Sequence, residues 1–289
     1  YLLGELKDKG TSLTVSKYIK DPDSKVRQQA ISSYVLINEN EALPQVLDYT
    51  LTHPELPESE TAKSCLLQIV KMEQLPLLAE QLQGAPEGAQ VVLTAVIAAK
   101  GDSEYFNTLY ELAEKGGTIG STAIENLYMV TNEHHLDQVL ILYDKHENEA
   151  ERGYIEKALV RAINSHPDRS LATNQVISHA MEHASLEEYM GVLTTVGGVR
   201  ALDAVYSICL NDASPKKEQA FDNYLRIVSE SAAADDQKLL LLRKVSPLAN
   251  DIEQQKHLIA AMGGVKTFLS VVTLGEYLDM EGLATDAAN

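Results

Sequence analysis

Val196–Tyr206 reads VGGVRALDAVY, and Met262–Val272 reads MGGVKTFLSVV. Each is a Gly-Gly-Val, a basic residue and then an apolar run at helical spacing. Gly197 and Gly263 stand 66 positions apart, twice 33, and recurrence at such an interval is the mark of a repeat architecture. Both copies are expected to form the turn between two helices of a repeat, kept because the turn geometry is shared.

The apolar runs elsewhere are interrupted at similar intervals. Breaks fall at Asn38–Asn40, Lys71–Glu73, Lys100–Asp102, Thr131–Asn132, His166–Pro167 and Ser231–Ala233. A second set lies between them, at Thr52–Pro57, Gly84–Pro86, Lys115–Gly117, His146–Asn148, His183–Ser185, Asn211–Pro215 and Asn250–Asp251. Gly and Asn let a helix leave through a left-handed residue. Pro beyond a break pre-sets the next helical turn.

The pieces between breaks carry helical periodicity. In AFDNYLRIV, Ala220, Phe221, Tyr224, Leu225 and Val228 share one face; in LDQVLILYDK, Leu136, Val139, Leu140 and Tyr143 do. No stretch alternates with the period of two that a half-buried strand needs. One pair of short helices cannot bury its apolar face alone, so neighbouring pairs must stack into a continuous core. The expected architecture is all-α: an α-α superhelix, or α-solenoid, of about eight helix pairs. It forms a single domain over residues 1–289 and, at helix spacings of about 8–10 Å, an arc of roughly 70–90 Å. Length alone would also admit two domains. The chain opens without Met on YLLGELKDKG, already helical in pattern, and closes on EGLATDAAN, a helical pattern cut short. A fragment of a longer protein is the expectation.

Composition narrows the partners. The chain has 42 acidic against 24 basic residues, a net charge of −18. Nucleic-acid binding relies on basic groups that displace counterions, so nucleic acid is not expected as a partner. Anionic membrane surfaces are disfavoured for the same reason, and no apolar run reaches the roughly 20 residues of a membrane span. The acidity reads as a solvated surface, or else as a match to a basic partner or a bound cation. Cys65 and Cys209 both fall inside apolar helical patterns. They stand several repeats apart, and a bridge needs Cα atoms within about 7 Å, so no disulfide is expected.

The stretch DPDSKVRQQAISSYVLI from Asp21 resembles the first helix of a HEAT repeat. Asp-Pro begins it, Val26-Arg27 follows, and Ala30 comes three positions on. The resemblance implies that Asp21 or Asp23, together with Arg27, joins a ladder between neighbouring repeats. PEGAQVVLTAV and SLEEYMGVLTT keep the apolar spacing but lack the Arg. A narrower resemblance covers Phe221 to Asp279, which looks like the HEAT region of large secreted bacterial proteins that carry a sandwich domain related to sugar hydrolysis. It implies a periplasmic or secreted setting and a non-catalytic arm of a carbohydrate-active enzyme.

Signals for chemistry are sparse. The chain has no phosphate-cradling G-x-x-x-x-G-K-[ST] loop, no G-x-G-x-x-G and no G-x-S-x-G elbow. His179 and His183 in HAMEH have the four-residue spacing that can grip zinc. The zinc-protease pattern needs Glu directly after the first His, and here that place is Ala180. His134-His135 with Asp137 opens a helix, where adjacent side chains diverge rather than converge on one ion. The acids Glu55, Glu58 and Glu60, and Glu147, Glu149 and Glu151, fall in loops or first turns, where acids are expected and water equalises them. No cofactor, no metal and no catalytic residue is assigned.

Tyrosines remain. Tyr105, Tyr110, Tyr143 and Tyr206, with Tyr277, fall in the second helix of their pairs, the helix that lines the concave face of a HEAT stack. Two readings stand. The rings face a partner, because Tyr covers area at low entropic cost, or they fill the core with the hydroxyl at its edge. The function expected is a non-catalytic interaction or scaffold module for another protein or a neighbouring domain of the same chain. The alternatives are the carbohydrate-enzyme arm and a lyase of HEAT-like fold.

Overall fold

The computed structural model describes residues 2–5 and 7–288. Among the described residues the fold is all-helical, with no strand. Every break read from the sequence falls at a helix end or between two helices. Acid caps start several helices. Asp23 accepts from the Lys25 and Val26 N–H groups, Asp168 from Leu171 and Asp251 from Gln254, meeting donors that have no partner inside the helix. The chain divides into two compact units, Tyr1–His135 with Lys145–Ala158, and Leu136–Asp144 with Leu159–Asn289.

In the first unit the helices Ser24–Asn38, Glu58–Ile69, Glu87–Lys100 and Gly117–Leu127 pack each on the next. The helices between them also pack forward: Leu43–Thr52 on Glu58–Ile69, Leu75–Leu82 on Glu87–Lys100, and Phe106–Lys115 on Gly117–Leu127. Helix Glu87–Lys100 shows why the stacking is obligatory. Ala89, Val92, Leu93, Val96 and Ile97 make its buried face, and Thr94, Ala95 and Ala98 are buried as well. A helix apolar on most of its circumference must be covered on both sides.

The intervening helices start in a shared way. A 3-10 turn, at Glu39–Ala42, Met72–Gln74 and Ser103–Tyr105, delivers the next residue, Leu43, Leu75 or Phe106, into the core. A fourth such turn, Glu133–His135, precedes Leu136. Pro44 and Pro76 sit in the first turn of their helices, where a missing N–H costs nothing.

In the second unit Arg169–His183 packs on Gly198–Cys209, and Met190–Val196 packs on both Gly198–Cys209 and Lys217–Glu230. Lys217–Glu230 in turn packs on Asp235–Val245 and Ile252–Gly263. Contact with the helix after next, seen in the first unit, therefore recurs here.

The two Gly-Gly-Val copies do not share a turn geometry, contrary to expectation. Gly197 and Gly198 have φ of 61° and 83° between helices Met190–Val196 and Gly198–Cys209. Gly263 ends its helix and Gly264 has φ −71°, so neither needs to be glycine on backbone grounds. The match to Gly197-Gly198 is Gly116-Gly117, with φ of 68° and 69° and ψ of −166° at Gly116 against −157° at Gly197. Letters alone pair the wrong copies, because φ is set by how two helices must meet and the Val and basic residue that follow play no part in it.

Candidate interaction surface

Tyr105 lies in the 3-10 turn Ser103–Tyr105, not in the second helix, and is half-buried against Gly101. Tyr110 is half-buried on helix Phe106–Lys115, stacked on Phe106 with ring centroids 5.7 Å apart. Burial, with the nearby Glu114 adding, pushes its hydroxyl pKa up. Lys145 pairs with Glu114 at 2.6 Å beside it. Tyr206 is half-buried on Gly198–Cys209, its ring 5.6 Å from that of Tyr224 and capped by the Lys244 ammonium at 4.1 Å. A cation over a ring face is held by the ring quadrupole.

Tyr143 departs from a partner-facing role. It is 2% exposed, and its hydroxyl donates to the Glu188 carbonyl at 2.8 Å. The apolar spacing of its helix carries the ring into the core, where a nearby carbonyl meets the hydroxyl. Tyr277 lies just past helix Phe268–Gly275, half-buried. Tyr105 and Tyr110 belong to the first unit, Tyr143 and Tyr206 to the second.

The acid that Arg27 pairs with is Glu58, and neither the Asp21 nor the Asp23 carboxylate. Arg27 donates through Nε and Nη2 to the two carboxylate oxygens of Glu58, at 2.6 and 3.0 Å, and through Nη1 to the carbonyls of Asp21 and Pro22. Tyr49 adds a hydroxyl donor to Glu58 at 3.2 Å. The Asp23 carboxylate is spent on its own helix start and Asp21 accepts from the Asp23 N–H. Glu58 is thus buried and paired, unlike the solvated first-turn acid expected of it, while Glu55 and Glu60 are exposed. The Arg27 guanidinium holds its carboxyl below the usual carboxylate range.

The histidines separate by role. His179 bonds Asp144 at 2.7 Å, and the same carboxylate accepts from the buried Tyr189 hydroxyl. The His183 ring lies 4.7 Å from that of His179, tilted. This Asp144–His179–Tyr189 cluster was not legible in sequence, since its members come from three separate segments. Among the described residues no three His, Cys, Asp or Glu side chains are placed to hold a metal ion. His134 is exposed, whereas His135 lies flat on Phe106, centroids 3.7 Å apart and planes 3° apart. Its Nδ1 accepts from the Asn132 N–H at 3.1 Å. Cys65 and Cys209 are buried and free, and burial pushes both thiols up to about 11. A buried thiol with a raised pKa is a poor nucleophile.

No family model, no curated protein and no solved structure matches the chain. Among the described residues no helix is long and apolar enough to cross a membrane.

Proposed function

We propose that this chain is an α-solenoid of HEAT-like helix pairs and serves as a non-catalytic interaction or scaffold module. Its ligand is another protein or a neighbouring domain of the same chain. One observation carries the reading. Side-chain bonds join residues about one repeat apart, again and again. In the first unit Arg27 meets Glu58, Gln28 meets Thr61, Glu114 meets Lys145 and Ser121 meets Glu151, with separations of 31, 33, 31 and 30 residues. In the second, Asp144 meets His179 and Asp222 meets His257, each 35 apart, and the Lys266 N–H meets Asp235, 31 apart. Lateral bonds grouped at 30–35 residues, beside others from 26 to 45, fit stacked repeats in which each unit contacts its neighbours. Such stacks leave one long face free of lateral bonds, and extended ligands bind there.

X-ray scattering from a monomeric preparation tests the architecture. A compact globule of this length has a radius of gyration of about 19 Å; the solenoid gives a clearly larger value, and a value at the globular figure ends the reading. For the function, photoreactive side chains at Tyr110 and Tyr206 should form adducts with a protein partner from the native source. Adducts confined to glycans or lipids would contradict it.

A further inference from the structure

Helix Phe268–Gly275 is inside out. Its small polar residues Ser270 and Thr273 are buried, at 2% and 7% exposed, while Phe268 and Val271 are 85% and 67% exposed. Leu269 and Val272 are exposed beside them. The inward hydroxyl of Ser270 is satisfied by the carbonyls of Val265 and Thr267, so the orientation is held in place. A contiguous apolar face of this kind marks an interaction site. The chain that follows is acidic: Glu276, Asp279 and Glu281 are exposed and form no ion pair among the described residues.

A complementary feature lies at the other end of the sequence. An apolar groove of about 330 Å³ runs between helices Ser12–Tyr18 and Ser24–Asn38, lined by Val15, Tyr18, Val26, Ala30, Lys25 and Ser33 among others. Tyr18 and Val26 are exposed there. Lys25 lines the groove, is exposed and forms no ion pair among the described residues. Asp21 and Asp23 lie nearby, their carboxylates turned to backbone N–H groups of their own segment.

We propose that helix Phe268–Gly275 of one copy docks in the Ser12–Tyr18/Ser24–Asn38 groove of a second copy. The exposed Phe268 side enters the apolar groove, and the acidic segment of Glu276, Asp279 and Glu281 runs past Lys25. The two surfaces differ, so the contact is heterologous. Each copy that docks leaves one groove and one helix free, and association continues beyond the dimer. The inference does not rest on the solenoid reading.

The test is complementation, read by sedimentation equilibrium. The wild-type protein is expected to gain mass with concentration, past the dimer. Val26→Asp and Phe268→Asp are each expected to be monomeric alone, with far-UV circular dichroism unchanged. An equimolar mixture of the two should give dimers and nothing larger, because only the groove of the Phe268→Asp copy and the helix of the Val26→Asp copy remain competent. If Val26→Asp loses helicity, Lys25→Glu replaces it, altering only an exposed lining position. A wild-type protein that stays monomeric would overturn the proposal, whether it closes on itself or awaits a different partner. So would a Phe268→Asp protein that still self-associates, or a mixture that stays monomeric.

Discussion

Arg27 and Glu58, 31 residues apart in sequence, meet in a two-armed ion pair that ties helix Ser24–Asn38 to the first turn of Glu58–Ile69. The hydrogen bonds from Arg27 lower the Glu58 pKa in the folded chain. The unfolded chain, with an ordinary value of about 4.3, therefore takes up the proton first as pH falls. The pair's stabilisation is complete above about pH 4.3 and disappears as pH drops through the lowered folded value. Glu58→Gln cannot ionise, so its urea midpoint should be lower than wild type at neutral pH, and the gap should narrow in acid. A gap that stays constant down the acid series would mean the charge is not what binds the two helices.

His135 carries a pH dependence of the opposite charge type. Burial against Phe106, with His134 adding, lowers its pKa from the ordinary value of about 6.5, and its Nδ1 must stay unprotonated to accept from Asn132. The unfolded chain binds the proton more readily. Stability is thus full above about pH 6.5 and declines as pH falls from there through the lowered value. An NMR titration of the imidazole should show a midpoint below 6.5 and, on its acid side, loss of the Asn132 amide's protection. A midpoint at or above 6.5 would contradict the stacked geometry.

Glycine substitutions should separate the two Gly-Gly-Val copies. Gly197→Ala and Gly116→Ala force a side chain into a backbone region used almost solely by glycine, at a cost of about 1–3 kcal/mol each. Space is not the obstacle, since a Cβ at Gly116 meets nothing within 4 Å. Gly263→Ala, in a helix and with open space, should be neutral or stabilising by up to about 1 kcal/mol. Urea denaturation of the three variants decides it. Equal losses at Gly197 and Gly263 would restore the shared-turn reading.

Tyr143 and Tyr206 should part company in the same way. Tyr143→Phe removes the buried donor to Glu188, which should cost about 1 kcal/mol while leaving partner capture unchanged. Tyr206→Ala should weaken capture of the partner found by crosslinking. Loss of capture on Tyr143→Phe at full stability would place that ring on the surface after all.

Much of this was legible from local signals. Helix ends depend on short-range chemistry, such as an Asp that caps, a Pro that cannot continue a helix or a Gly that leaves one, and these signals are written in neighbouring letters. The all-helical class follows from the period of Leu, Val and Ala within single segments. Arg27 was singled out from its surroundings, but its partner was not, because an acid 31 residues away looks like any other first-turn Glu until two helices are set side by side. The outward face of Phe268–Gly275 escaped for a related reason: FLSVV reads as core in any window, and only the buried Ser270 and Thr273 reveal which side faces in.

By itself, the order of residues determined where helices break and that no strand forms among the described residues. Those choices are made by backbone groups and side chains within one or two turns. Tertiary structure decided which acid Arg27 holds, which glycines go left-handed, that Tyr143 is core and that Phe268 is not. Each of these depends on what a neighbouring helix presents at a distance of a few ångströms, and the letters along one helix do not contain that information.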